Sequence, residues 1–334
     1  MTRPAGTREP PAGERTAGVR IEAPARLHLG MLDVARGGDR RFGGLGVAVD
    51  RPAVVLEATP AAELTADGPS ADRALEFARR CVDALGLPGG AHLRVLEAIP
   101  GHVGLGSGTK LALAVARALT AMHGRAHGPG ELARAAGRGA RSAVGLWTFA
   151  LGGLVVEGGL REHAAPPAPL LARHPVPEAW RCVLIVPGTE PGLSGAAEEE
   201  AFRHLVPARE RAALISQLTL TSILPGLIED DVEEFGAALT RIQRLVGESF
   251  AEVQGGVFHP LAAPLVAALL EHGAAGAGQT SWGPAVYGVV GSEADARALA
   301  GRMAPQLDAG TRLEVVRFEN AGARVEEARG CDFS

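Results

Sequence analysis

The segment IPGHVGLGSGTKLAL, residues 99–113, carries Gly101, Gly104, Gly106 and Gly108 between an alternating apolar stretch and a helical one. Glycines so placed let backbone N–H groups converge without side-chain obstruction. A helix beginning near Gly108 adds its own unbonded amides and the positive end of its dipole. The chemistry this suits is recognition of a phosphate or diphosphate, with hydroxyls from Ser107 and Thr109 beside it. Lys110 is the only lysine among the 33 Lys and Arg residues, so its place after the loop reads as a point charge for the same anion. The spacing is neither a Walker A GxxxxGK[ST] nor a GxGxxG. A plain strand-to-helix turn is the competing reading.

These residues need elements to hold them. Residues 18–24 and 45–59 are rich in β-branched side chains and predict strands, and 91–99 alternates as a third. Leu75, Ala78 and Val82 predict a helix over 70–85, and Leu111, Val115, Ala118 and Met122 one over 108–124, stopped by Gly124. A short helix around 130–137 and a strand at 152–159 follow. Residues 163–179 contain five prolines and read as a linker. Beyond it, 181–187, 284–290 and 312–318 predict strands, and helices are expected at about 195–205, 208–224, 230–247, 260–272 and 292–303. The pattern is two α+β domains, 19–162 and 180–330, preceded by a polar, disordered leader at 1–18 and enclosing a cleft.

The chain has 334 residues, 46% hydrophobic and 21% charged, enough to bury the cores of about two domains. A net charge of −5 argues against a broad surface for nucleic acid or anionic membrane, which leaves small molecules as the expected partners. Cys81, Cys182 and Cys331 show no metal-ligand spacing, which fits structural thiols in a reducing cytoplasm. No apolar run of about 18 to 20 residues is evident, and the N-terminus lacks the apolar segment of a secretion signal.

EAPARLHLGMLD (22–33), IPGHVGLGSGTKLALAVA (99–116) and GAGQTSWGPAVYGVV (276–290) resemble, in this order, the three signature segments of the GHMP superfamily of small-molecule kinases. RLHLGMLD, RRFGGLGVAVD, RGARSAVGLWTFALGGLVVEGG and GQTSWGPAVYG are more similar to one branch, the β-ribofuranosylaminobenzene 5′-phosphate synthases. The resemblance implies an N-terminal domain like the second domain of ribosomal protein S5, a ferredoxin-like C-terminal domain and a homodimer. It implies that 5-phosphoribosyl 1-diphosphate condenses with 4-aminobenzoate or a close 4-substituted benzoate, releasing CO2 and diphosphate with help from Mg²⁺, in methanopterin biosynthesis. An ATP-dependent kinase and a phosphate sensor on the same fold are the alternatives. Against the kinase, no aspartate lies between Ala84 and Glu229 to act as a base, which leaves Asp33 or Glu157 as the substitutes a kinase would need.

Under that resemblance Gly104, Gly106, Ser107, Gly108, Thr109 and Lys110 bind phosphate or diphosphate oxygens, with the end of the substrate they hold left open. Arg26 is the first candidate for the benzoate carboxylate, because a guanidinium fork matches two oxygens, and Arg40 and Arg41 are alternatives. An ion pair is the competing role for each of the three. His28, two residues from Arg26, can polarise the para group or shuttle its proton, unless it is an ordinary hydrogen-bonded histidine. Asp33 is expected to hold Mg²⁺ or a ribose hydroxyl, with a turn as its alternative. Arg141 and Ser142 are expected at the 5-phosphate, Gln279, Thr280 and Ser281 as donors across the cleft, and Trp282 as a stacking surface or core.

Overall fold

The computed structural model describes residues 18–33, 40–188, 200, 202, 205 and 208–328. The first sheet is built on two long strands, β1 (Gly18–Asp33) and β2 (Arg40–Pro60), paired antiparallel from Val19↔Ala58 to Asp33↔Phe42. β3 (Leu64–Asp67) and β4 (Ala91–Glu97) extend the sheet beyond β2, parallel to one another. β5 (Leu154–Glu157) and the two-residue β6 (Leu160–Arg161) pair with the other half of β2. Four helices pack on this sheet: α1 (Ala71–Leu85), α2 (Ser107–Met122), α3 (Pro129–Ala135) and α4 (Val144–Leu151).

The proline-rich stretch read as a linker is part of this sheet, because β7 (Leu170–His174) pairs antiparallel with β5. The last strand, β12 (Arg324–Ala328), also returns to it and covers β1. The first domain therefore uses both ends of the described chain, which a boundary drawn along the sequence does not capture.

The second sheet has the order β11-β8-β10-β9, all antiparallel: β8 (Arg181–Val186), β9 (Gly276–Gln279), β10 (Val286–Val290) and β11 (Arg312–Arg317). Numbered within the domain that order is 4-1-3-2, the ferredoxin-like arrangement. Alternation along β8 serves both faces: Cys182 and Leu184 join the large core shared with the first domain, while Val183 and Ile185 join a second core under α8 (Ala262–Glu271) and α9 (Glu293–Met303). The other helices are α5 (Arg209–Leu218), α6 (Leu224–Ile228) and α7 (Val232–Gln254). α7 starts at Asp231, whose side chain accepts from the N–H groups of Glu233 and Glu234.

One expectation needs amending. With the π turn at Thr219–Ile223, α5 and α6 form one apolar helical run, Arg209–Ile228, long enough to cross a membrane, with a mean hydropathy of 1.3. Ile215, Leu218, Ile223 and Leu227 pack that run into the main core. The helix expected at 195–205 and the leader fall almost wholly outside the described residues, as does Cys331.

Candidate active site

The site forms where the three motif segments meet around one carbonyl, that of Gly104. Thr280 Oγ1 donates to it at 2.8 Å and accepts the His28 N–H at 2.9 Å. The Arg26 guanidinium donates to the same carbonyl, and the Arg26 N–H donates to Leu105 O at 3.2 Å. Gly104 sits at φ 89°, and a Cβ there would lie 2.0 Å from the Thr280 carbonyl oxygen, so only glycine lets the loop approach this closely. α7 locks the same junction from behind: Gln243 Nε2 donates to Leu29 O, and its Oε1 accepts the Gln279 N–H at 2.8 Å.

Two compartments open on this junction. The first, about 300 Å³, is floored by Gly104, Gly106, Ser107, Gly108 and Thr109 at the start of α2. No side chain caps that helix and its first turn holds no acidic residue, so its free amides face the space. Four arginines line the compartment: Arg26, Arg73, Arg138 and Arg141. Arg73 and Arg138 lean over Gly108, where a Cβ would meet their nitrogens at 2.7 and 3.3 Å. Burial, and then the Arg73 and Arg80 charges, lower the Arg138 pKa. An anion bound here relieves that repulsion.

The second compartment, about 120 Å³, is lined by Phe202, Phe250, Phe258 and Trp282, with His28 and Ser142 along one side. Trp282 meets Phe250 edge-on at 4.6 Å and Phe202 at 5.6 Å. An apolar cavity of about 150 Å³ takes a benzene ring, so one aromatic ring suits this space. Arg26, Arg141, Ser281 and Trp282 line both compartments. The arrangement can hold an anion and an aromatic ring side by side, with two guanidinium groups between them.

His28 is lowered from 6.5 to about 3, first by burial and then by the Arg26 charge, so its ring is neutral. Its Nε2 lies 3.3 Å from Ser142 Oγ. Near Ser142 stands Glu157, fully buried, which accepts from the N–H groups of Ala143 at 3.2 Å and Gly159 at 2.8 Å. Burial, the largest influence, raises the Glu157 pKa against these donors.

Several expected site residues sit elsewhere. Lys110 is not at the anion compartment: it is fully buried, and its Nζ donates to Thr148 Oγ1 at 3.0 Å. The reason is that α2 is enclosed by the sheet, α1 and α4, so every residue from Lys110 to Ala116 is buried. Thr280 is fully buried and joins the domains instead of facing the cleft. Gln279 lines the aromatic compartment, but its side chain is engaged by His259 N–H and Ser281 O. Asp33 ends β1 opposite Phe42 and lines neither compartment. Arg40 donates to Gly159 O at 2.9 Å and Arg41 pairs with Glu162 at 3.6 Å, both away from the compartments. Among the described residues no group of three His, Cys, Asp or Glu could hold a metal, and no carboxylate lines the anion compartment. This donor set does not fit a protein-held Mg²⁺, which takes at least one carboxylate.

Residues 72–152 match the N-terminal domain of GHMP kinases and 223–307 the C-terminal domain. The β-ribofuranosylphenol 5′-phosphate synthase of Methanothermobacter thermautotrophicus is 32% identical over 325 residues, covering 91% of this chain and 97% of that protein. The chain belongs to this GHMP family. The synthase of the same name from Archaeoglobus fulgidus is 34% identical over 71% of the chain and 78% of its own length. Solved structures share the fold: homoserine kinase from Cytophaga hutchinsonii has a TM-score of 0.70 at 19% identity, covering 94% of this chain and 98% of its own. Mevalonate diphosphate decarboxylase from Enterococcus faecalis has a TM-score of 0.65 at 14% identity, covering 94% and 100%.

Sequence reasoning missed Arg73 and Arg138 because arginine is the chain's ordinary cation and nothing in their spacing sets them apart. It missed Phe250 because the expected helix ended at 247, and it named Glu157 only as a substitute base for a kinase, without its buried donors. A carboxylate flanked by Val155, Val156 and the glycines at 158 and 159 was the available signal, since a buried Glu needs several donors.

Proposed function

We propose that this member of the β-ribofuranosylphenol 5′-phosphate synthase family is a decarboxylating phosphoribosyltransferase. It joins C1 of 5-phosphoribosyl 1-diphosphate to the carboxylate-bearing ring carbon of a 4-substituted benzoate, releasing CO2 and diphosphate in methanopterin biosynthesis. The relatives' name specifies a phenol product, which favours 4-hydroxybenzoate within the class that includes 4-aminobenzoate. The observation that carries this reading is the pair of compartments sharing Arg26 and Arg141, one built for an anion and the other for a ring.

The α2 amides and four guanidinium groups hold the diphosphate, and fixed donors of this kind stabilise charge as it develops on the leaving group. The ring lies beside Trp282, positioned so that its electrons reach the ribose carbon as the C1–O bond lengthens. Arg26 or Arg141 orients the carboxylate until it departs, and loss of CO2 restores the aromatic ring. No protein nucleophile takes part. Magnesium, if used, accompanies the diphosphate instead of occupying a cage of protein ligands. A cytoplasmic homodimer completes the proposal; Cys81 and Cys182, both buried free thiols, fit a reducing compartment.

The test is incubation of the purified protein with phosphoribosyl diphosphate and carboxyl-labelled 4-hydroxybenzoate. Labelled CO2 released without nucleotide supports the reading. ADP formed from ATP with a small alcohol, and no CO2, would replace it with a kinase.

A further inference from the structure

We infer that a second cavity of the first domain, apart from both compartments of the active site, binds a small carboxylic acid with an apolar body. The cavity holds about 260 Å³ among α2, α3, α4 and β12, and none of its lining residues lines either compartment. Helix spacing builds it. Leu113 and Arg117, four residues apart, share one face of α2, and Leu146 and Phe149, three apart, share one face of α4. With Leu132 of α3 these give a floor of four buried hydrophobic side chains. The Ala323 N–H donates to Phe149 O at 2.7 Å and holds the segment leading into β12 against α4.

Two polar side chains, Arg117 and His127, share this apolar space. Arg117 is half-buried, and among the described residues its guanidinium makes no hydrogen bond or ion pair. The His127 Nε2 is enclosed with no hydrogen-bond partner, and a buried polar atom of that kind calls for one. Glu131 does not hold the ring in place: its Oε2 accepts the Gly128 N–H at 2.8 Å and lies 3.7 Å from His127 Nδ1, too far for a hydrogen bond. Nothing therefore keeps the ring hydrogen on Nδ1, and Nε2 can carry it and donate. No carboxylate lines the cavity, so an incoming anion meets no opposing charge.

Charge and size set the ligand class. One guanidinium fork and one imidazole N–H match the two oxygens of a single carboxylate. The anion compartment, with four arginines and free helix amides, is built for a higher charge. A cavity of about 150 Å³ takes benzene. At about 260 Å³ this one takes a ring with a short chain, more than the aromatic compartment of about 120 Å³ accepts.

The test is calorimetric titration of wild type, Arg117→Met and Trp282→Leu with 3-phenylpropanoate and with 3-phenylpropanol, its uncharged counterpart. Wild type and Trp282→Leu should bind the acid alike, with a Kd on the order of 0.1 mM. Arg117→Met should bind the acid roughly 10- to 100-fold more weakly, and wild type should lose as much with the alcohol. The acid should also raise the thermal midpoint of wild type and leave that of Arg117→Met unmoved. Should Arg117→Met not fold, His127→Leu carries the same comparison. Equal binding of acid and alcohol would overturn the carboxylate. Full binding by Arg117→Met, or a loss confined to Trp282→Leu, would put the acid outside this cavity and overturn the site, as would no binding by wild type at millimolar acid. None of these outcomes bears on the release of CO2 that tests the proposed function.

Discussion

Arg26 and Gly104, 78 positions apart in the chain, are joined by a hydrogen bond from the guanidinium to the glycine carbonyl. The bond fixes the side chain in the wall shared by the two compartments and ties the first motif to the glycine loop. Lysine has a point charge and no planar fork, so Arg26→Lys cannot both hold the loop and orient a second group. We expect kcat/KM for each substrate to fall on the order of a hundredfold. Steady-state kinetics with each substrate varied in turn check this, and a loss below threefold would remove Arg26 from the site.

Thr280 places the loop against the second domain. Thr280→Val keeps the shape and deletes both the donor to Gly104 O and the acceptor of the His28 N–H. Gly104 O keeps its bond from Arg26, but leaving the buried His28 N–H unpaired costs about 1–3 kcal/mol. Urea titration should show a lower midpoint, and calorimetry should show weaker binding of phosphoribosyl diphosphate. An unchanged midpoint would contradict the joining role.

Arg73 and Arg138 should matter for the anion and not for the ring. Substituting Met at either position removes a charge-assisted contact worth about 1.5–3 kcal/mol. The phosphoribosyl diphosphate KM should therefore rise roughly 10- to 100-fold. The aromatic acid's own affinity, followed by Trp282 fluorescence, should stay within about twofold, because neither arginine lines its compartment. Equal losses for both ligands would indicate collapse of the site.

Lys110 should matter for stability, with a definite pH dependence. Burial, and secondarily Arg26, hold its pKa well below 10.5, so the folded chain keeps an amine that the unfolded chain protonates. Below pH 10.5 the unfolded state binds the extra proton, and wild-type stability falls as pH falls until the folded pKa is reached. Lys110→Met removes this penalty while filling the same space. Relative to wild type the variant should gain stability as pH drops below 10.5 and until the folded pKa is passed, by up to about 1.4 kcal/mol per pH unit. Guanidinium titrations at several pH values test the sign; a constant difference would mean that Lys110 is charged in the folded protein.

Three strands of the second sheet were legible from the sequence, β8 and β10 because they are continuous apolar runs that only a sheet buried on both faces accepts, while the short β9, GAGQ, carries no such signal. The glycine loop was legible for a comparable reason, since Gly104 and Gly106 adopt positive φ angles that few other residues tolerate. The linker was misread because proline marks irregular backbone, yet Leu170–His174 follows the last closely spaced proline and still completes a sheet edge.

What the sequence by itself determined is local chemistry. Backbone conformations that demand glycine, apolar periods that demand strand or helix, and the order of three motifs are all encoded within a few residues of one another. Only the tertiary structure decided which charges face the ligand. Lys110, next to the loop in sequence, is enclosed by packing around α2, while Arg73 and Arg138, distant in sequence, lean over Gly108 because α1 and the turn after α3 bring them there. A side chain's direction depends on what surrounds its helix on every side, and contacts between residues separated by tens of positions leave no trace in the spacing of either.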